Sequence, residues 1–220
     1  MTLVDLSHTI RSGMLTLPGM PVPEISHHLT FDASHDIYAT GTEFSIGRIE
    51  MVANTGTYLD TPAHRHREGH DLSELPLERC ALLPTVVVPG PPEGATTMTS
   101  VELLDPEEVA GAAVLIRTGW DQHFGFDHYG APEHPYLATD AAQWLADHGA
   151  VLVGIDSVNI DATPPQGDRP VHTLLLDREI LVVEHLTNLE HLPLRGATFT
   201  AVPVKVAGMA TFPVRAFAEY

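Results

Sequence analysis

Asn54–Leu72 reads NTGTYLDTPAHRHREGHDL, and the placing of its acidic and imidazole side chains decides how the rest of the chain is read. Asp60 and His64 stand four apart, but Pro62 lies between them and denies the segment a continuous helix. A strand leading into a turn is the geometry left, and turns of that kind commonly present functional groups. On spacing alone, the better reading is Asp60 as a backbone cap and His64 as a surface histidine. His66 and His70 follow in a run that also holds Arg65, Arg67, Glu68 and Gly69, the composition of an exposed loop.

Composition narrows the classes open to such a chain. Its 220 residues suffice for one domain, residues 1–220, with a core that needs no staples. Cys80 is the single cysteine, which rules out an intrachain disulfide and a zinc–thiolate cluster and suits the cytoplasm. Between the apolar residues of LERCALLP it reads as an inert, buried thiol. The opening MTLVDLSHTI has no basic stretch followed by an apolar one, and no window approaches the ~20 apolar residues of a membrane span. Neither secretion by that route nor membrane insertion is expected. With 29 acidic and 11 basic residues the formal net charge is −18, which repels phosphate backbones and argues against a nucleic-acid partner. The sequence holds no GxGxxG, Walker or GxSxG motif. Histidines number 14, more than packing requires. His134 and His191 are expected at the surface, and His27, His28 and His35 in loops.

Runs rich in β-branched residues predict strands at FSIGRIEMVA from Phe44, TVVVP from Thr85, AVLIRTGW from Ala113, VLVGID from Val151, ILVVEHL from Ile180 and TFTAVPVKVAG from Thr198. TDAAQWLADHG predicts a helix, with Thr139 as its cap, Ala141, Trp144 and Leu145 on one face and Gly149 as its stop. Shorter helical segments are expected over Asp105–Ala110 and in ELPLERC from Glu74. Pro89–Thr97 (PGPPEGATT) reads as a loop. TVVVP, AVLIRTGW and VLVGID do not alternate, as befits strands covered on both faces, and the layered α/β class follows.

The 54–72 stretch resembles the signature HxGTHxDxPxH of the cyclase family, which holds bacterial kynurenine formamidases and isatin hydrolases. Gly56, Thr57, Asp60, Pro62 and His64 match, whereas NTGTYLD puts Asn54 and Tyr58 where the family carries two metal-ligand histidines. DLSHTI, LIRTGW, VGIDSVNID, HTLLLDREILVVEHLTNL and PVKVAGMATFPVRAFA are similar to family segments, in the family's order. The resemblance implies the swivelling β/β/α fold, a central barrel-like β structure flanked by helices, assembled as a homodimer or homotetramer.

It also implies a site. Asp60, His172 and Glu184 correspond to metal ligands and His64 to the residue that transfers protons. One imidazole and two carboxylates suit a single divalent ion, Zn²⁺ or Mn²⁺, with a coordination position left open. Asn54 and Tyr58, poor ligands by their chemistry, would instead hydrogen-bond the substrate or a developing oxyanion. Arg169 is a candidate for binding a substrate carboxylate or for surface pairing. His8 falls in a segment the family places near the site, and Asp156 and Asp161 are expected to organise the loop before His172. The implied activity is hydrolysis of the C–N bond of an aryl formamide, or of a related cyclic amide or lactone, in a small and aromatic substrate. The alternatives are a metal-free cyclase or lyase working through Tyr58 and His64, and a noncatalytic binding protein on the same fold.

Overall fold

The structure, a computed structural model, describes residues 1–17, 19–91, 95–98, 101 and 104–220. In chain order its elements are β1 (Leu3–Asp5), β2 (Glu24–Leu29), α1 (Phe31–Ser34), β3 (Ile46–Glu50), β4 (Tyr58–Asp60), β5 (Leu83–Pro89), β6 (Thr97–Met98), α2 (Pro106–Val109), β7 (Ala113–Arg117), β8 (Tyr136–Leu137), α3 (Thr139–Asp147), β9 (Leu152–Ile155), α4 (Pro170–Asp177), β10 (Leu181–Glu184), β11 (Arg195–Thr200), β12 (Thr211–Pro213) and β13 (Phe217–Glu219). Nine strands form one strongly curled, half-barrel sheet in the order β1-β13-β11-β5-β7-β9-β10-β4-β12. This is the mixed α/β class that the strand patterns predict and the barrel-like architecture that the family resemblance implies.

The parallel centre β5-β7-β9-β10 explains why its strands lack amphipathic alternation. Val86, Val88, Val114, Ile116, Val153, Ile155 and Val182 face a core completed by Ala141, Leu145, Val171 and Leu175 of α3 and α4. Their neighbours Val87, Leu115, Leu152, Leu181 and Val183 face a second core with Leu59, Phe199 and Ala218. Successive side chains point to opposite faces, so a strand with a core on each side is apolar throughout. No helix among the described residues is long and apolar enough to cross a membrane.

Several local expectations need correcting. The strand predicted from Phe44 starts at Ile46, and its partner β2 carries His27 and His28, which therefore lie on a strand and not in a loop. The long strand predicted from Thr198 stops at Thr200, ahead of Pro203, which lacks a backbone N–H and makes only an isolated bridge to Val214. Thr139 is the first residue of α3, after Ala138, and makes no side-chain cap. ELPLERC supplies a 3₁₀ turn at Leu77–Arg79, and the helix over Asp105–Ala110 is the single turn α2, capped by the Asp105 carboxylate at Glu107 N. Within the loop expected at Pro89–Thr97, residues 92–94 lie outside the described ones. His134 is fully buried, its Nε2 3.0 Å from Thr163 Oγ1, whereas His191 is exposed as expected.

Candidate metal-assisted active site

β4 brings the first functional groups into place. Tyr58 and Asp60 are two residues apart on a strand and so share a face, while Leu59 between them anchors the strand in the second core. β10 and β12 flank β4 and set Glu184 opposite Tyr58 and Thr211 opposite Asp60. Tyr58 accordingly donates its hydroxyl proton to Glu184 Oε2, and Ile160 N donates to Glu184 Oε1 at 2.6 Å. Thr211 Oγ1 donates to Asp60 Oδ1 at 2.5 Å. Glu184 pairs with these groups.

The turn after β4 is closed by Ala63 N donating to His70 O at 3.1 Å and by Gly69, whose missing side chain matters, since a Cβ would come 2.6 Å from the Pro62 carbonyl carbon. That closure sets His64 at the rim, with Nδ1 3.0 Å from Thr211 Oγ1 and 3.6 Å from Asp60 Oδ1. Thr211 has already given its one proton to Asp60, so it accepts from His64 Nδ1–H, and His64 Nε2 keeps its lone pair.

His172 enters from the first turn of α4. Asp161 caps that helix, accepting from Val171 N at 2.8 Å and His172 N at 3.0 Å, and its Oδ2 also takes His172 Nδ1 at 2.7 Å. The imidazole is thereby oriented, with Nε2 3.7 Å from Asp60 Oδ2 and 3.4 Å from Glu184 Oε1. Asp161 thus does what the sequence suggests. Asp156 does not, since its carboxylate ties Thr118 N, Thr118 Oγ1 and Gly119 N at 2.7, 2.6 and 2.9 Å, beyond β7.

Charge at this point is out of balance. Asp60, Asp161 and Glu184 are all buried around a single buried imidazole. Burial, the largest influence, pushes Glu184 up to about 7 against the pull of His172. Burial works against the charge of His172, but Glu184, Asp161 and Asp60 outweigh it and raise the imidazole to about 10. Burial opposes the Asp60 charge too, and is overcome by His172, His64 and Thr211, which hold it below the usual carboxylate range. The Tyr58 hydroxyl is pushed well above its ordinary value by burial, Glu184 and Asp60, with an Asn54 hydrogen bond pulling the other way. Asp60 Oδ2 is buried with no hydrogen-bond partner. An orphaned carboxylate oxygen facing an oriented imidazole nitrogen, amid surplus buried negative charge, is the donor set that a divalent cation satisfies.

Asp60, His64 and His172 each offer one donor atom, all within 4.8 Å of one another. Glu184 lies against the same His172 nitrogen, although both of its oxygens already accept hydrogen bonds. The structure therefore brings together Tyr58, Asp60, His64, His172 and Glu184, with Asn54 and Arg169 on the walls of the same cavity of about 530 Å³. His66 and His70 stay outside the cluster, His66 3.2 Å from Thr173 O and His70 3.6 Å from Glu179. His8 stacks on Phe124 at 3.7 Å, and burial lowers its pKa to about 4. Cys80 is buried, its thiol raised to about 11 by burial and then by Glu78.

Sequence reading missed Thr211, Arg65 and the wall residues Leu17, Met20 and Val158. Thr211 reaches the site only through the pairing of β12 with β4, which no local pattern announces. Arg65 adjoins the motif, and its position next to His64 was a usable signal.

The cyclase family model matches residues 4–162. A kynurenine formamidase of Salinibacter ruber (strain DSM 13855 / M31) is 28% identical over 224 residues, covering 98% of this chain and 96% of its own. That of Erythrobacter litoralis (strain HTCC2594) is 24% identical over 208 residues, covering 92% and 86%. Isatin hydrolase A from Ralstonia solanacearum superposes with a TM-score of 0.80 at 26% identity, over 99% of this chain and 91% of that one. The curled sheet, the order of the segments along the chain and the family match agree, and the chain belongs to the cyclase family.

Proposed function

We propose that residues 1–220 form one hydrolase domain that cleaves the C–N bond of an aryl formamide or a related cyclic amide, or the acyl C–O bond of a related lactone. The observation that carries this reading is Asp60 Oδ2, buried without a partner and facing His172 Nε2, whose ring is fixed from behind by Asp161. Asp60, His172 and Glu184 would hold one divalent ion, Zn²⁺ or Mn²⁺, which would supply Lewis acidity, polarising a carbonyl and lowering the pKa of water towards about 7.

The chain's own groups do the rest. His64, a third exposed and with no hydrogen bond to Nε2 among the described residues, takes a proton from the attacking water and returns it to the leaving nitrogen as the C–N bond breaks. Tyr58 spends its proton on Glu184 and so positions that carboxylate. Asn54 and Arg169, on the cavity wall, orient the substrate. The family relatives named as formamidases and as an isatin hydrolase support this reaction class.

The Tyr58–Glu184 bond favours one other reading, an acid/base cluster of Tyr58, His64, His172 and Glu184 that works without an ion. Elemental mass spectrometry of the purified, tag-free protein, beside formamide hydrolysis, separates the two. One ion per chain, lost with activity in both Asp60→Ala and Glu184→Ala, is the expected result. Full hydrolysis by protein that takes up neither Zn²⁺ nor Mn²⁺ would sink the metal-assisted mechanism.

The reading extends to assembly as a homodimer or homotetramer in the cytoplasm. Half of the large apolar side chains that stand exposed among the described residues lie between Met20 and Ile49. At roughly half exposure they present on the order of 800 Å², the area a standard interface takes from each partner. A second copy of the chain, pairing the same patch about a two-fold axis, would cover it.

A further inference from the structure

We propose that Arg65 and Arg169 form a carboxylate clamp at the mouth of the cavity, so that the molecule bound there carries a carboxylate on an apolar body. The assignment of that molecule as a substrate rests on the hydrolase reading above; the clamp rests on its own geometry.

Both arginines line the cavity, Arg65 next to His64 and Arg169 at the start of α4, three residues ahead of His172. Each is tethered through neutral acceptors alone. Arg65 Nε donates to Thr173 Oγ1 at 2.8 Å, and Arg169 Nη1 donates to the carbonyls of Ala162, Gly167 and Asp168 at 3.3, 3.3 and 3.0 Å. Thr173 links the two, since its hydroxyl donates to Arg169 O at 2.7 Å while accepting from Arg65. The remaining guanidinium nitrogens of both residues make no bond among the described residues. The arginine ion pairs found there are Arg48–Glu50, Arg195–Glu108 and Arg215–Asp5, and neither Arg65 nor Arg169 is in one.

In a chain with 29 acidic and 11 basic residues, two guanidiniums lining one cavity without a carboxylate partner among the described residues run against the bulk charge. Their free donors are satisfied by an anion, and the planar fork of a guanidinium matches a carboxylate two bonds at a time. The lining runs from buried groups, Tyr58 and Glu184, to the exposed Arg65, so the arginines would hold the carboxylate outward and leave the rest of the molecule inward. Leu17, Met20 and Val158 supply an apolar wall for that remainder, and the volume suits a small molecule.

Calorimetric titration of the intact protein with benzoate, its neutral isostere methyl benzoate, and inorganic phosphate tests the clamp without turnover. Benzoate should bind about tenfold tighter than the ester, as charge-assisted hydrogen bonds imply, with the margin shrinking as salt is raised. Arg65→Gln and Arg169→Gln should each cut that preference. Thr173→Val should cut it too, and Thr173→Ser, which keeps the hydroxyl, should restore it. In parallel, the kcat/KM ratio of 4-formamidobenzoate to formanilide should fall in the same variants. Equal binding of benzoate and ester by the native protein, tighter binding of phosphate than benzoate, or a preference that survives in the Arg65→Gln/Arg169→Gln double variant overturns the clamp. Should neither formamide be hydrolysed while the benzoate preference holds and is lost as described, the hydrolase reading falls and the clamp stands. Hydrolysis of both formamides in a ratio that the variants leave unchanged overturns the clamp and leaves the hydrolase reading standing.

Discussion

β4 and β3 are short strands a few residues apart in the chain, and they meet opposite fates. All three residues of β4 are buried, and the strand is paired on one side with β10 and on the other with β12. All five residues of β3 are exposed, and among the described residues it pairs with β2 alone. A two-stranded ribbon on its own is marginal in water, whereas a strand inside a sheet with a core behind it is held to a fraction of an ångström. The contrast explains where the chemistry sits. Tyr58 and Asp60 can be aimed because their strand has no freedom left, and the apolar side chains of the ribbon are left for another surface.

The strongest way to break this contrast is at the site that β4 serves. His64→Ala should lower kcat by roughly 10²–10⁴-fold, the usual worth of a positioned acid/base, with little change in thermal stability because the side chain sits at the rim. A loss below tenfold in steady-state kinetics would move proton transfer to another residue.

Paired apolar substitutions then compare the two strands directly. Leu59 is fully buried in the second core, and Leu59→Ala should cost about 2–5 kcal/mol of unfolding free energy. Ile49 on β3 is 49% exposed, and Ile49→Ser should cost no more than about 0.5 kcal/mol in the monomer. Its effect should instead appear in sedimentation, as a fall in the mass of the native assembly. Equal losses of stability in urea titrations of the two variants, with no change of mass, would show that the ribbon is a structural part of the monomer.

Asp161 sharpens the same comparison from behind the site. It caps α4 and fixes the His172 ring. Asp161→Asn keeps the size of the side chain but weakens the acceptor, and metal affinity measured by competition with a chelator should drop by about 10–100-fold. Unchanged affinity would mean that the His172 ring is held by packing alone.

How far the sequence reveals all this depends on the range of the interactions. The central strands are legible because a strand with cores on both faces is apolar throughout, and TVVVP, AVLIRTGW and VLVGID say so locally. Tyr58, Asp60, His64, His172 and Glu184 were found because they lie in segments resembling the family's, and the structure assembles all five. Thr211 was invisible, since its place beside Asp60 depends on β12 pairing across 151 residues of chain. His134 was misread as a surface loop residue because its burial comes from Thr163 and Ser157, both distant in sequence. β2 was missed because it carries Glu24, His27 and His28 across its two faces, a polar pattern fit for a ribbon open to solvent and unlike a core strand.

The smallest effect concerns acid stability, and it tests how tightly the buried region excludes water. His8 is stacked on Phe124, and its Nε2 is buried with no hydrogen-bond partner. Burial lowers its folded pKa to about 4 from 6.5, with Asp121 pulling weakly the other way. Between those two values the unfolded chain binds a proton that the folded one does not. Stability from this residue is therefore complete above about 6.5 and is lost as pH falls towards 4. Allowing for the exposed edge of the ring, the loss should be on the order of 1–2 kcal/mol. His8→Phe keeps the stack and removes the titration, so its melting temperature should fall less than that of the native protein between pH 7 and pH 4.5. Parallel melting profiles for the two proteins would place His8 in contact with water and loosen the boundary between the sealed half-barrel and its open ribbon.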